Sequence, residues 1–235
     1  MLAARPLSVP LPRLEPALAI ILVLALVLAL VGPFDLPIAI ASQGLAPVRV
    51  LLIATLTLAG AACADRAGLR IGSENRRWPL FALAAGVGVA VYVCLVDGFL
   101  FRHQLPAEYL RALQGPLSPR LSYYIERAFQ ENVIYRLFVF SLLTLAVAKA
   151  RGVDAGQFPL WLVWAIAIAT QALNVSLNIS LLEPSPTAML GYNFIRYVIP
   201  GALWGWTYWR FGFAAAELAH VSCHFVLQPA LGAIV

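Results

Sequence analysis

Apolar runs separated by short polar punctuation recur along the whole chain, each close to the roughly 20 residues that a helix needs to cross a bilayer. Read between their polar boundaries, they predict spans at 16–32, 46–64, 79–101, 121–148, 158–180, 188–208 and 212–234. The expected fold is all-α, a polytopic transmembrane helix bundle of about seven spans, within a range of six to eight. The proline-containing stretch 33–50 leaves room for a re-entrant piece. Segment 104–119 holds Pro106, Gly115, Pro116 and Pro119 among polar residues, which predicts a loop with a short interfacial helix. Arg5 and Arg13 ahead of the first apolar run imitate a signal peptide, but the run is slightly long for one and is read as an uncleaved span.

Composition agrees with this pattern. Of 235 residues, 62% are apolar and 11% charged, against about 25% charged in a soluble domain, and the mean hydropathy is +0.85. One integral membrane domain over 1–235 is expected, with the lipid bilayer as its surroundings. Sixteen basic residues exceed eleven acidic ones, and only Lys149 among them is lysine. Most flank apolar segments, where they anchor and orient spans. A nucleic-acid partner would need them clustered on a polar face, and none is expected. With the N-terminus cytoplasmic, Arg5, Arg13, Arg66, Arg70, Arg76, Arg77, Lys149, Arg151 and Arg210 fall inside, while Arg49, Arg102, Arg111, Arg120 and, at the margin, Arg127 fall outside. Cys63, Cys94 and Cys223 have neither the number nor the spacing of a disulfide framework or zinc knuckle.

An ionisable group in hydrocarbon costs about 2.5–3.5 kcal/mol on insertion scales, so each one asks for a partner or a purpose. The fourth span opens with Glu131, Asn132 and Arg136. Glu131 and Arg136 are about 140° apart on an ideal α-helix and would not share a face. The fifth span carries Gln171, Asn174 and Asn178 at roughly helical spacing. The seventh carries Glu217, His220 and His224 at i, i+3 and i+7, again on one face. Each set alone is compatible with helix-to-helix hydrogen bonding. Together, three spans supply side chains able to hold and activate water.

These residues resemble the CPBP family, the type II CAAX prenyl endopeptidase-like, glutamate-dependent intramembrane proteases, whose pattern is EExxxR, FxxxH and HxxxN or HxxxD on successive spans. Glu131-Asn132-Val133-Ile134-Tyr135-Arg136 is similar to the first motif, with Asn132 in place of the second Glu. His220-Val221-Ser222-Cys223-His224 is similar to the last, with His224 in place of Asn or Asp. The approach through Leu203-Trp204-Gly205-Trp206 and Trp209-Arg210-Phe211-Gly212 also resembles members of the family. The middle motif falls on Thr170-Gln171-Ala172-Leu173-Asn174, leaving Asn174 at the histidine position. The resemblance covers roughly 120–235.

It implies a cofactor-free peptide hydrolase, with Glu131, Asn174, His220 and His224 catalytic and Arg136 and Asn132 supporting. Glu131 would be the general base. His224 or Asn174 would orient the water with it, and His220 and the remaining amide would donate to the oxyanion. The implied substrate is a membrane-anchored or exported protein, and the implied place a cell membrane, by composition the bacterial inner membrane. Two other readings stay open. One is an inactive scaffold or immunity-type protein of the same fold. The other is a metal-dependent protease using His220 and His224, with Glu131 or Glu217 as third ligand.

Overall fold

A computed structural model describes residues 16–31, 46–73, 75–178 and 187–234, and helix is the only regular secondary structure among them. The re-entrant piece considered within 33–50 falls largely outside these residues, as does the Asn178 side chain. The chain forms α1 (Pro16–Val31), α2 (Ala46–Ala67), α3 (Trp78–Leu100), α4 (Ala107–Gln114), α5 (Leu117–Arg151), α6 (Leu160–Asn178), α7 (187–211) and α8 (Phe213–Ile234). The short helix expected within 104–119 is α4. The other seven fall where the apolar runs predicted spans, making an all-α bundle.

Four of these helices, α2, α3, α5 and α6, are long and apolar enough to cross a membrane and mark the chain as a membrane protein. The other three fall short for visible reasons. α1 has 16 residues. α7 carries Asn193, Arg196 and Arg210, and α8 carries Glu217, His220, His224 and Gln228, which lower their hydropathy. At 35 residues, α5 is about 50 Å long, more than a hydrocarbon core of about 30 Å can cover. It begins at Leu117 rather than near 121. Pro119 is accommodated because a first helical turn needs no N–H from it.

The bundle is apolar outside and polar within. Leu51, Leu80, Trp161 and Phe99 project outward, whereas Asp97, Asn132, Arg136, Gln171 and Asn174 are buried. α8 packs against α3, α7 and α5, and α5 packs in turn against α2 and α6. Two elements therefore run through the middle, and they carry the glutamate and the histidines. Close approach depends on missing side chains. A Cβ at Gly86 of α3 would lie 2.6 Å from the Ala219 carbonyl oxygen on α8 and would run into the Ser222 hydroxyl. Gly86→Ala is expected to destabilise the protein by about 1–3 kcal/mol through overpacking. Thermal unfolding in detergent checks this, and an unchanged midpoint would mean that the α3–α8 contact is looser than described. At the start of α8, Gly212 adopts φ +93°, letting Phe213 and Ala214 donate their N–H groups to the carbonyls of Arg70 and Ile71 at 3.0 and 2.9 Å. These bonds satisfy donors that a helix start leaves open.

Among the described residues, three helices contain π segments, Val96–Leu100 in α3, Asn132–Phe140 in α5 and Phe194–Val198 in α7. Each holds a buried or half-buried charged residue, respectively Asp97, Arg136 and Arg196. Such segments recur at functional sites because the widened turn re-aims side chains.

Candidate active site

Glu131 is the last residue before the π segment of α5, with its side chain 22% exposed. Arg127, one turn earlier on the same helix, donates Nε–H to Glu131 Oε1 at 3.0 Å. From α6, Asn174 reaches Glu131 Oε2 with its Nδ2 at 3.4 Å. The same Asn174 nitrogen lies 3.3 Å from Gln171 Oε1, which also accepts from Arg136 NH2 at 2.6 Å. Gln171 thus ties the two ends of the first motif to α6. Gly201 of α7 makes room for it, since a Cβ there would collide with the Gln171 carboxamide.

The expectation that Glu131 and Arg136 diverge is corrected here. It assumed α-helical geometry, but a π segment pairs residue i with i+5, so positions five apart lie about one turn from each other on nearly the same face. Both residues border one recess.

α8 supplies the imidazoles. His220 is stacked on Trp204 at 5.6 Å between ring centres, and its Nδ1 lies 3.2 Å from Asn132 Oδ1. His224 is stacked on Tyr124 at 5.4 Å and lies 5.3 Å from the His220 ring. Gln228 Nε2 approaches His224 Nδ1 at 3.4 Å. An Asn132 oxygen turned to the ring suits a His220 tautomer protonated on Nδ1, and a Gln228 amide nitrogen suits a His224 tautomer protonated on Nε2.

Glu131, Asn174, His220 and His224 line one cavity of about 200 Å³, together with Tyr109, Tyr124, Arg127, Gln171, Arg196 and Tyr197. A smaller recess of about 60 Å³ shares Glu131, Gln171, Arg196, Tyr197 and both histidines, and adds Arg136. At about 30 Å³ per water in the liquid, the main cavity has room for several. Asn132 is behind His220 rather than on the wall. Glu217 is not on the wall either. Both of its carboxylate oxygens are buried without a hydrogen bond of ordinary geometry to a described residue, with Asn132 and Arg136 as neighbouring polar groups. Among the described residues, no three His, Cys, Asp or Glu side chains are grouped to hold a metal ion.

Sequence reasoning missed a second polar cluster beside the cavity. Asp97 is fully buried and accepts from Arg196 Nε with both oxygens, at 3.0 and 2.9 Å. It also accepts the hydroxyls of Tyr109 at 2.9 Å and Tyr192 at 3.2 Å. The signal was an acid inside the 79–101 span and a guanidinium inside the 188–208 span. The Arg127–Glu131 pair was legible as well, from its i, i+4 spacing. Compared with known proteins, the chain matches no family model, no curated protein and no solved structure.

Proposed function

We propose that this protein is an intramembrane endopeptidase in which Glu131 activates water to hydrolyse a peptide bond of a membrane-anchored or exported protein. The observation that carries the reading is the convergence of Glu131, Asn174, His220 and His224 on one cavity. The resemblance of 120–235 to CPBP proteases supports it from the residues alone. In the proposed reaction Glu131 Oε2, steadied by Asn174, accepts a proton from water. His220 Nε2 holds the same water, and His224 Nε2–H donates to the oxyanion as the tetrahedral intermediate forms. The proton on Glu131 then passes to the leaving amine. Arg136 holds Gln171 and through it Asn174, a positioning role, and Asn132 fixes the His220 ring.

The cavity lies toward the end of the bundle that carries α4, since Tyr109 of α4 is on its wall. With the N-terminus cytoplasmic, that end is exoplasmic, which suits exported or anchored substrates in a bacterial inner membrane. A comparison of membrane proteomes from cells expressing wild type and Glu131→Gln tests the proposal. A membrane polypeptide shortened only in the wild-type cells is the expected result, and identical proteomes would count against it. A scaffold reading draws on the Arg127–Glu131 ion pair, which gives the carboxylate a structural partner. Identical proteomes are what that reading expects.

A further inference from the structure

We propose that a cleft at the other end of the bundle from the active site is a receptor for the phosphate of an anionic membrane phospholipid, held by Arg70 and Arg210. The inference does not rest on the peptidase reading.

The cleft forms where the α2–α3, α5–α6 and α7–α8 connections meet. Its volume is about 430 Å³, against about 200 Å³ for the active-site cavity, a space for a headgroup rather than for a few waters. Arg70, Ser73 and Asn75 line it from the first connection, and Trp209, Arg210 and Phe211 from the end of α7. Backbone bonds fix these walls. Phe213 and Ala214 donate their N–H groups to the carbonyls of Arg70 and Ile71, and Trp209 donates Nε1–H to the Ala155 carbonyl at 2.9 Å. Gly212 lets the connections close on each other, since a Cβ there would run into the Gly72 carbonyl oxygen.

The polar groups on the wall are donors. Ser73 Oγ and Asn75 Oδ1 already accept from the backbone N–H groups of Asn75 and Arg77, at 3.3 and 2.9 Å. What these two side chains have left to give is a hydroxyl hydrogen and an NH2 group. Arg70 and Arg210 are exposed, and no Asp or Glu is among the described residues lining the cleft. Arg210 lies over the Phe211 ring, 5.3 Å from its centre, a contact that orients the guanidinium without cancelling its charge. Asp154 stands behind Gly68 and lines a neighbouring cleft, which also holds Arg66 and Lys149. Along the chain, Asp65 and Glu74 are outnumbered by Arg66, Arg70, Arg76 and Arg77. Donors and positive charge together fit a phosphate.

Position makes that phosphate a lipid's. Phe211 packs on Phe81 at 4.4 Å between ring centres, Phe81 on Trp206 at 5.8 Å, and Trp206 on Trp164 at 6.0 Å. Such a run of rings across α7, α3 and α6 is the mark of headgroup depth in a membrane protein. With the N-terminus cytoplasmic, this end meets the leaflet that carries anionic lipids. A zwitterionic headgroup brings no net charge to two guanidinium groups, and an anionic one does.

The test is binding of the first lipid to the full-length protein in detergent, followed by native mass spectrometry as phosphatidylglycerol or phosphatidylcholine is titrated in. One arginine at a headgroup surface corresponds to about fivefold in affinity. Phosphatidylglycerol is therefore expected to bind at least about fivefold more tightly than phosphatidylcholine, and Arg210→Gln to lose about fivefold. Arg70→Gln leaves the backbone bonds to α8 in place, should lose as much, and decides the matter where Arg210→Gln does not fold. Arg151→Gln, exposed at the same end but off the cleft wall, should change nothing. Equal affinity for the two lipids would overturn the proposal. An equal loss in Arg151→Gln would overturn it as well, by making the attraction a diffuse surface charge. Displacement of the lipid by an equal concentration of inorganic phosphate would assign the cleft to a soluble phosphate and overturn it too. Glu131→Gln should bind the lipid as wild type does, which keeps this outcome separate from that of any cleavage assay.

Discussion

Asp97→Ala is expected to lower the thermal midpoint of the detergent-solubilised protein by about 10 °C. Asp97 is fully buried and accepts three side chains from two other elements, Tyr109 of α4 and Tyr192 and Arg196 of α7. Removing one member of a buried ion pair costs about 3–5 kcal/mol, mainly because the remaining charge is stranded. Arg196 borders the cavity and can take water there, which places the effect at the lower end. At about 2–4 °C per kcal/mol for a chain of this length, the stated shift follows. The double variant Asp97→Ala/Arg196→Leu should lose less than the sum of the two single losses, because it strands no charge. A midpoint within about 2 °C of wild type for Asp97→Ala would mean that the cluster is not a brace.

That cluster also marks where sequence reading stopped. The helices were legible because their apolar runs are long, and the polar sets on α5, α6 and α8 were legible because charged and amide groups are expensive in hydrocarbon. Asp97 obeys the same rule. It escaped notice because it stands near the end of an otherwise apolar span, and its partner Arg196 is 99 residues away, a distance no local pattern bridges. The relation of Glu131 to Arg136 was misread for a different reason. Angular arguments assume 3.6 residues per turn, and nothing in Asn132–Phe140 announces the π segment that widens it. The part played by Gln171 was half visible. It was grouped with Asn174 by spacing, but its bond to Arg136 joins two helices and is a property of their packing. Helix α5 reached back to Leu117 because its polar first half, with Arg120, Glu126 and Arg127, remains helical outside the apolar run that defined the predicted span.

Glu131→Gln is expected to reduce cleavage by at least about 10³-fold, the upper part of the range for loss of a general base. The substitution keeps the shape of the side chain and one oxygen to accept from Arg127, but sets an NH2 donor against Asn174 Nδ2, so the fold should survive with a lowered thermal midpoint. What it removes is the carboxylate that takes a proton from water. Glu217→Gln, on α8 with the histidines but away from the cavity wall, provides the contrast and should retain most activity. The most direct measurement is the initial rate of cleavage of the identified substrate by purified protein in nanodiscs, wild type against Glu131→Gln. The account predicts turnover by wild type and none above background by the variant at equal folded concentration; equal rates would contradict it.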